Sequence, residues 1–352
     1  MNNNLHKANR PVLVLGAGIQ GCRKEARELV ELLQIPVVTT WGACDLLPHS
    51  HPLNVGCFGT HGTRAANFCI QNADYLLCIG TRLDTKATGT PAASFARAAH
   101  IVMVDIDRAE IAKMDKCGVK VEGVHDDAAR YISGLSLLWP ARWRCPQEWV
   151  AKCQDWKRRH PPVVPDAIHA ISEEAKEGDV IVSDTGCAVA WMMQGFRFKE
   201  GQRFLHPFNN TPMGYGLPGA IGAHYATGKR VIVVTGDGSI MMAIGELATI
   251  AARRLPIKIF LLDNGAHAMC MGSEREWFGG KHAGTSKASG LSFPDFEKVI
   301  PAFAVDCKIF KISSDMAVSP KSVSGHPNED AAPYLTREQL QAEMLIPLWE
   351  TP

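Results

Sequence analysis

The stretch that most limits the fold is Val233-Val234-Thr235-Gly236-Asp237-Gly238-Ser239, followed by a run with helical spacing and then by Ile257-Lys258-Ile259-Phe260-Leu261-Leu262-Asp263-Asn264. Two short apolar runs, each closed by a polar turn and separated by about one helix, describe a β-α-β unit. Such a unit is built on parallel strands covered on both faces, which is why the runs are continuously apolar rather than alternating. Ligands in open parallel sheets sit beyond the carboxyl ends of the strands. Asp237 and Asn264 are therefore expected to close neighbouring strands and to face one crevice.

The same alternation runs through the rest of the chain. Pro11-Val12-Leu13-Val14-Leu15 reads as a buried strand, residues 22–33 have helical spacing through Ala26, Leu29, Val30 and Leu33, and residues 35–40 form the next strand. Residues 73–80 and 100–107 repeat the pattern, with Thr81-Arg82-Leu83-Asp84 at one carboxyl end. This predicts a Rossmann-like first domain over 11–135. Residues 136–165 are rich in Trp, Pro and basic side chains and read as a linker helix packed by its tryptophans. A nucleic-acid stacking surface is the weaker alternative for that stretch. A helix over 165–176, a strand over 179–184, the Gly/Pro-punctuated loop 209–219 and a strand over 229–235 then lead into the opening stretch, giving a second domain over 166–312. The expected fold class is α/β, with two doubly wound parallel-sheet domains. Residues 1–10 are expected to fray and 313–352 to form an irregular tail.

Composition narrows the partners. A net charge of +1 gives no general electrostatic case for nucleic acid or an anionic membrane. No apolar run approaches the roughly 20 residues needed to span a bilayer. Of eleven cysteines none forms a C-x-x-C pair, so reduced thiols in a cytoplasmic protein are expected.

Gly16-Ala17-Gly18-Ile19-Gln20-Gly21 matches the dinucleotide fingerprint at the first turn. That fingerprint also calls for an acid at the end of the second strand. Here the strand ends in Thr39-Thr40-Trp41-Gly42, with no acid before Asp45, so a tight structural turn is expected in preference to a nicotinamide oxidoreductase.

The opening stretch carries more chemistry. Asp237 offers a hard oxygen ligand, and the flanking glycines bare the amides of Gly238 and Ser239 at a helix start, where an anion is attracted. A hard cation beside a phosphate suggests magnesium bridging a diphosphate. Asn264 would add an amide oxygen and Ala266 a backbone carbonyl.

With Asn264 in place, Gly236-Asp237-Gly238 resembles the thiamine-diphosphate motif of the pyruvate-oxidase and acetolactate-synthase superfamily. Met213-Gly214-Tyr215-Gly216-Leu217-Pro218-Gly219-Ala220-Ile221-Gly222-Ala223 resembles a segment of acetolactate synthases, as does Glu246-Leu247-Ala248-Thr249-Ile250. His61-Gly62-Thr63, Gly80-Thr81-Arg82-Leu83-Asp84 and Asp105-Ile106-Asp107 resemble their central, transhydrogenase-like domain. The resemblance covers about residues 10–305. It implies thiamine diphosphate and magnesium as cofactors, with Asp237, Asn264 and the Ala266 carbonyl on the metal. It also implies that Gly186, Gly236, Gly238 and Ser239 lie along the diphosphate. Met213 would be the apolar buttress that bends the cofactor, the Thr211 carbonyl would accept from its 4′-amino group, and Met269 would lie near the reacting carbon. For both methionines ordinary core packing is the plain alternative.

The resemblance also implies what is expected from elsewhere. The family's activating glutamate belongs to a pyrimidine-binding domain, and no glutamate of this sequence matches it, so no catalytic residue is assigned. The expectation is a homo- or hetero-oligomer in which another chain supplies that domain, acting on a small 2-oxo acid by decarboxylation and carboligation. The alternative is a non-catalytic truncated homologue, or a regulatory or binding partner, that keeps only the magnesium-diphosphate half-site. Some members hold FAD in the central domain. Here Asp84-Thr85-Lys86 stands in place of their Asp-Asp-Arg, which weakens that expectation. Residues 265–292 read as a mobile loop over the cofactor, with His267 and His282 as candidates for substrate contact and a solvated loop as the plainer alternative.

Overall fold

The computed structural model describes residues 4–139 and 143–350. The chain divides into two compact units, Met1–Pro162 with Ser319–Pro352, and Val163–Val318. Each is an α/β unit on a wholly parallel sheet, as the strand pattern predicts.

In the first unit six strands lie in the order β3-β2-β1-β4-β5-β6. They are β1 (Pro11–Leu15), β2 (Val37–Thr39), β3 (Asn54–Cys57), β4 (Tyr75–Ile79), β5 (His100–Asp105) and β6 (Glu122–His125). The order reverses between β1 and β4, where the Gly16 turn meets Gly80. The amide of Gly16 donates to the Ile79 carbonyl (3.1 Å) and that of Gly18 to the Gly80 carbonyl (2.8 Å). A Cβ on Gly16 would lie 2.4 Å from the Gly80 oxygen, and one on Gly18 would lie 2.6 Å from the Gly80 Cα. These glycines serve a close backbone approach, the structural turn expected from the missing acid.

Three segments of this unit differ from the sequence expectation. Met1–Asn3 lie outside the described residues, but Asn4–Lys7 form a 3₁₀ turn that buries Leu5, and the amides of Asn9 and Arg10 donate to Asp74 (2.9 and 2.8 Å). An apolar anchor and a paired backbone hold residues 4–10 in place of a frayed end. Pro140–Arg142 of the expected linker also lie outside the described residues. The helix Gln147–Arg159 that follows buries Trp149, Cys153 and Trp156 in the first core. Nor is the tail irregular throughout, because Thr336 caps the helix Arg337–Glu343, whose Leu340 joins the same core.

In the second unit five strands lie in the order β11-β10-β9-β7-β8. They are β7 (Val180–Ser183), β8 (Arg203–Leu205), β9 (Val231–Gly236), β10 (Ile257–Asp263) and β11 (Cys307–Lys311). Val182, Val231, Val233, Ile259 and Leu261 are fully buried against Leu217, Ala220, Ile240 and Leu247 of the covering helices. Each such aliphatic side chain contributes about 1.5–3 kcal/mol by leaving water. Register then places the ends. Ser183 pairs with Val234, so Asp184 comes level with Thr235. Leu262 pairs with Gly236, so Asp237 comes level with Asp263 and Asn264. The strand order reverses between β7 and β9. Among the described residues no helix is long and apolar enough to cross a membrane.

Candidate functional site: the switch point of the second sheet

Two aspartates mark this switch point, Asp184 just past β7 and Asp237 just past β9. The Asp237 side chain is 2% exposed. Its Oδ1 accepts from the Gly238 amide (2.7 Å) and its Oδ2 from the amides of Asn264 (3.0 Å) and Gly265 (2.6 Å). Burial pushes the carboxyl above its ordinary value, the three amides pull it back only in part, and nearby Asp263 adds to the rise. The charge is thus desolvated and held by backbone dipoles alone.

The Asn264 side-chain oxygen accepts from the Ala266 amide (3.0 Å), a tight turn in which Gly265 adopts φ +66°. This puts the Asn264 amide group, the Ala266 backbone and the Asp237 carboxylate at adjoining strand ends. The described residues contain no group of three His, Cys, Asp or Glu able to hold a metal. The donor set is instead one carboxylate and neutral oxygens, which suits a hard divalent ion completed by ligand oxygens and water. The residues therefore fit magnesium.

Gly238 supplies a cradle. A Cβ there would lie 2.4 Å from His267 Cε1 and 3.1 Å from Met213 Cε. Met213, 39% exposed, and His267 thus converge on the start of the helix Asp237–Met241. Gly236 ends β9, and Ser239 is buried one residue beyond Gly238. The Gly238 amide is turned towards Asp237, so it is not bared towards an anion as the sequence pattern suggests. Gly186, at φ +81°, opens the helix Cys187–Gly195, and a Cβ on it would lie 3.9 Å from the Met269 side chain. Thr211 adopts φ +41°, a strained conformation for a β-branched residue, with its amide on the Pro207 carbonyl (2.9 Å).

The two candidate histidines part company. His267 packs edge-on against Phe293 (centroids 5.8 Å apart), and its amide bonds the Thr285 carbonyl. His282 points to Glu274 instead (2.7 Å). Glu274 also accepts from Thr285 Oγ1 (2.7 Å) and the Ala283 amide (3.2 Å). Residues 265–292, expected as a mobile loop, carry the helix Ala268–Trp277 and a capped 3₁₀ turn at Lys287–Ser289, and the Glu274 carboxylate ties that helix to residues 282–285.

Sequence reasoning missed Asp184. It is 1% exposed and accepts from the amides of Gly214 (2.9 Å), Gly216 (3.0 Å) and Thr185 (3.2 Å) and from Thr235 Oγ1 (3.1 Å). The available signal was its place at a strand end together with the unexplained glycine pair 214 and 216.

Comparison with known proteins gives two family matches. Residues 2–132 match the family model described as the thiamine pyrophosphate enzyme central domain, and residues 184–323 match that described as the C-terminal thiamine pyrophosphate-binding domain. Together they cover more than half of the chain. Among curated proteins, the acetolactate synthase isozyme 1 large subunit of Escherichia coli K12 is 35% identical over 272 residues, 74% of this chain and 47% of that protein. The acetolactate synthase large subunit of Parasynechococcus marenigrum is 32% identical over 86% of this chain and 50% of its own length. A probable acetolactate synthase large subunit of Methanocaldococcus jannaschii is 30% identical over 90% and 54%. The chain spans about half the length of these relatives.

Proposed function

The chain belongs to the thiamine pyrophosphate enzyme family and is acetolactate synthase-like, and on that premise we propose that the Asp237 crevice holds thiamine diphosphate through magnesium, as the diphosphate half of an active site for 2-oxo acids. The observation that carries this reading is Asp237 itself, a buried carboxylate at the switch point whose recorded partners are three amides and no cationic group. A divalent ion there would relieve the desolvation that raises its pKa.

In this reading Asp237, the Asn264 side chain and the Ala266 carbonyl hold the cation. Gly186, Gly236, Gly238 and Ser239 border the diphosphate, and Met213 lies against the thiazolium. The Thr211 carbonyl takes the amino group, and Met269 faces the reacting carbon beside Gly186. The bound cofactor supplies an electron sink for decarboxylation and acyl transfer. The chain's residues anchor and orient it and keep water from the buried carboxylate; none is assigned its activation. A pyrimidine-binding domain, to which no residue of this sequence is assigned, brings the activating glutamate. Exposed apolar side chains support that domain, since Met213 and Met242 (65% exposed) flank the loop over the crevice. A cytoplasmic location belongs to the same proposal and rests on the cysteine usage. An FAD in the first unit would need donors other than the Gly16 and Gly18 amides, which are bonded to Ile79 and Gly80, and an acceptor other than Asp84 Oδ1, which accepts from the Lys86 and Ala87 amides.

Calorimetry with magnesium and thiamine diphosphate tests the site, with Asp237→Ala as control. Saturable binding lost in the variant is expected, and wild type that ignores the cofactor at millimolar concentration refutes the assignment. Adding a pyrimidine-domain chain and measuring carbon dioxide release from pyruvate tests the reaction. Binding without release under those conditions selects the non-catalytic alternative.

A further inference from the structure

We propose that Asp184 is a positioning residue that ties the Met213 loop to the strand bearing Asp237, so that the site's preference for thiamine diphosphate over bare pyrophosphate depends on it. The inference rests on the cofactor reading above and concerns how the two parts of the crevice are held in register.

A carboxylate offers about four lone-pair directions. On Asp184 all four are taken. Oδ1 accepts from the Gly214 and Thr185 amides, and Oδ2 from the Gly216 amide and the Thr235 hydroxyl. None is left for a cation, so Asp184 is not a second metal ligand although it ends the neighbouring strand. Asp237 accepts from three amides and retains a lone pair on Oδ1. The two switch-point acids therefore divide the work, one holding the ligand and the other holding the protein.

The glycines of Met213-Gly214-Tyr215-Gly216 take their meaning from this contact. Gly214 adopts φ +84°, which an L side chain rarely does. At Gly216 a Cβ would lie 2.7 Å from Asp184 Oδ2. Both positions are shaped so that two loop amides reach one carboxylate. The same oxygen takes the hydroxyl of Thr235, fully buried and two residues before Asp237 on β9. Asp184 thus joins the loop that presents Met213 to the strand that presents Asp237. Met213 comes within 3.1 Å of where a Gly238 side chain would begin, so a slackened loop would withdraw it from the thiazolium while leaving the diphosphate anchor in place.

Paired titrations of the full chain test this, one with magnesium and pyrophosphate and one with magnesium and thiamine diphosphate. In Asp184→Asn an amide nitrogen must face two donors whichever way it turns. The expected result is thiamine diphosphate binding weakened by at least about tenfold, or ~1.4 kcal/mol, with pyrophosphate changed by less than about threefold. A purely structural role would weaken both ligands alike. Should Asp184→Asn fail to fold, Thr235→Val removes one donor only and is expected to show the same selective loss, about threefold. Unchanged thiamine diphosphate binding, or equal losses of both ligands, overturns the inference. Wild type that binds neither ligand overturns the cofactor reading and the inference with it.

Discussion

At the scale of single residues, the number of donors on a carboxylate separates two roles that the sequence does not distinguish. Asp237 was legible because an acid between two glycines at a strand end, followed at the next strand end by Asn264, is a pattern with known chemistry. Asp184 was not, because its donors lie up to 51 positions away and only folding brings them together. The state of Asp237 has a pH consequence. Its folded pKa is raised, so the stability it contributes is present below the ordinary carboxyl range and is lost as pH rises through the raised value. Without cation, the stability difference between wild type and Asp237→Asn should therefore move in favour of the variant as pH rises from about 4. Urea unfolding at pH 4 and pH 7 checks this, and a flat difference refutes it. Gly238→Ala tests the cradle. Its methyl would overlap the His267 ring, whose side chain can swing away. The melting temperature should then change by only a few degrees, consistent with ~1 kcal/mol, while cofactor affinity drops by at least about tenfold. Unaltered affinity would remove Gly238 from the site.

At the scale of elements, the strands with strong apolar runs were readable, and β3, β6, β8 and β11 were not. Physical reasons differ among them. β8 has three residues, and β6 (Glu122-Gly123-Val124-His125) ends its sheet with largely exposed side chains, so neither carries the buried pattern that marks a central strand. The segment after β10 misled for another reason. Its Gly, His and charged residues look like solvated loop, and only the folded chain shows Glu274 gathering His282, Thr285 and Ala283. Glu274→Ala should speed tryptic cleavage at Lys281 and Lys287 several-fold at unchanged melting temperature; equal digestion of both proteins would deny Glu274 that role. In the first unit Glu343 links two helices. It accepts from Trp156 Nε1 (2.8 Å), from both Arg159 Nη atoms (2.5 and 2.7 Å) and bonds His160 Nε2 (3.0 Å). Burial alone would raise its carboxyl, and these partners overcome that and hold it at about 2. The stability it contributes is present above about pH 4.5 and lost as pH falls towards 2. Glu343→Gln should cost about 1–3 kcal/mol at neutral pH, with the deficit shrinking in acid. A deficit independent of pH would assign the cost to packing.

At the scale of the whole molecule, the two-domain α/β architecture was plain in the alternation of strands and helices, but the course of the chain was not. Besides Leu340, Met344 and Ile346 in the core, the final segment rejoins the first unit through polar groups that no apolar pattern announces. The Asn72 amide donates to the Glu343 carbonyl (3.1 Å), Asn328 to that of Ala87 (2.9 Å), and the fully buried Glu329 pairs with Arg97 (2.7 Å) and Gln71. Each buried partner left unmatched costs about 1–3 kcal/mol. Deleting residues 319–352 should therefore lower or abolish the thermal transition of the first unit and leave that of Val163–Val318 in place. Calorimetric scanning checks this, and an unshifted first transition would show the return segment to be dispensable. Because Ser319–Pro352 belongs with Met1–Pro162, the order of synthesis and the order of completion are opposed. On the ribosome the strands of the first sheet emerge before those of the second, yet their unit must wait, with Gln71, Asn72 and Arg97 still unmatched, while the entire second unit is made. The unit whose strands are made before those of the other is the one completed after it, and in that interval a holding chaperone would find most to grip.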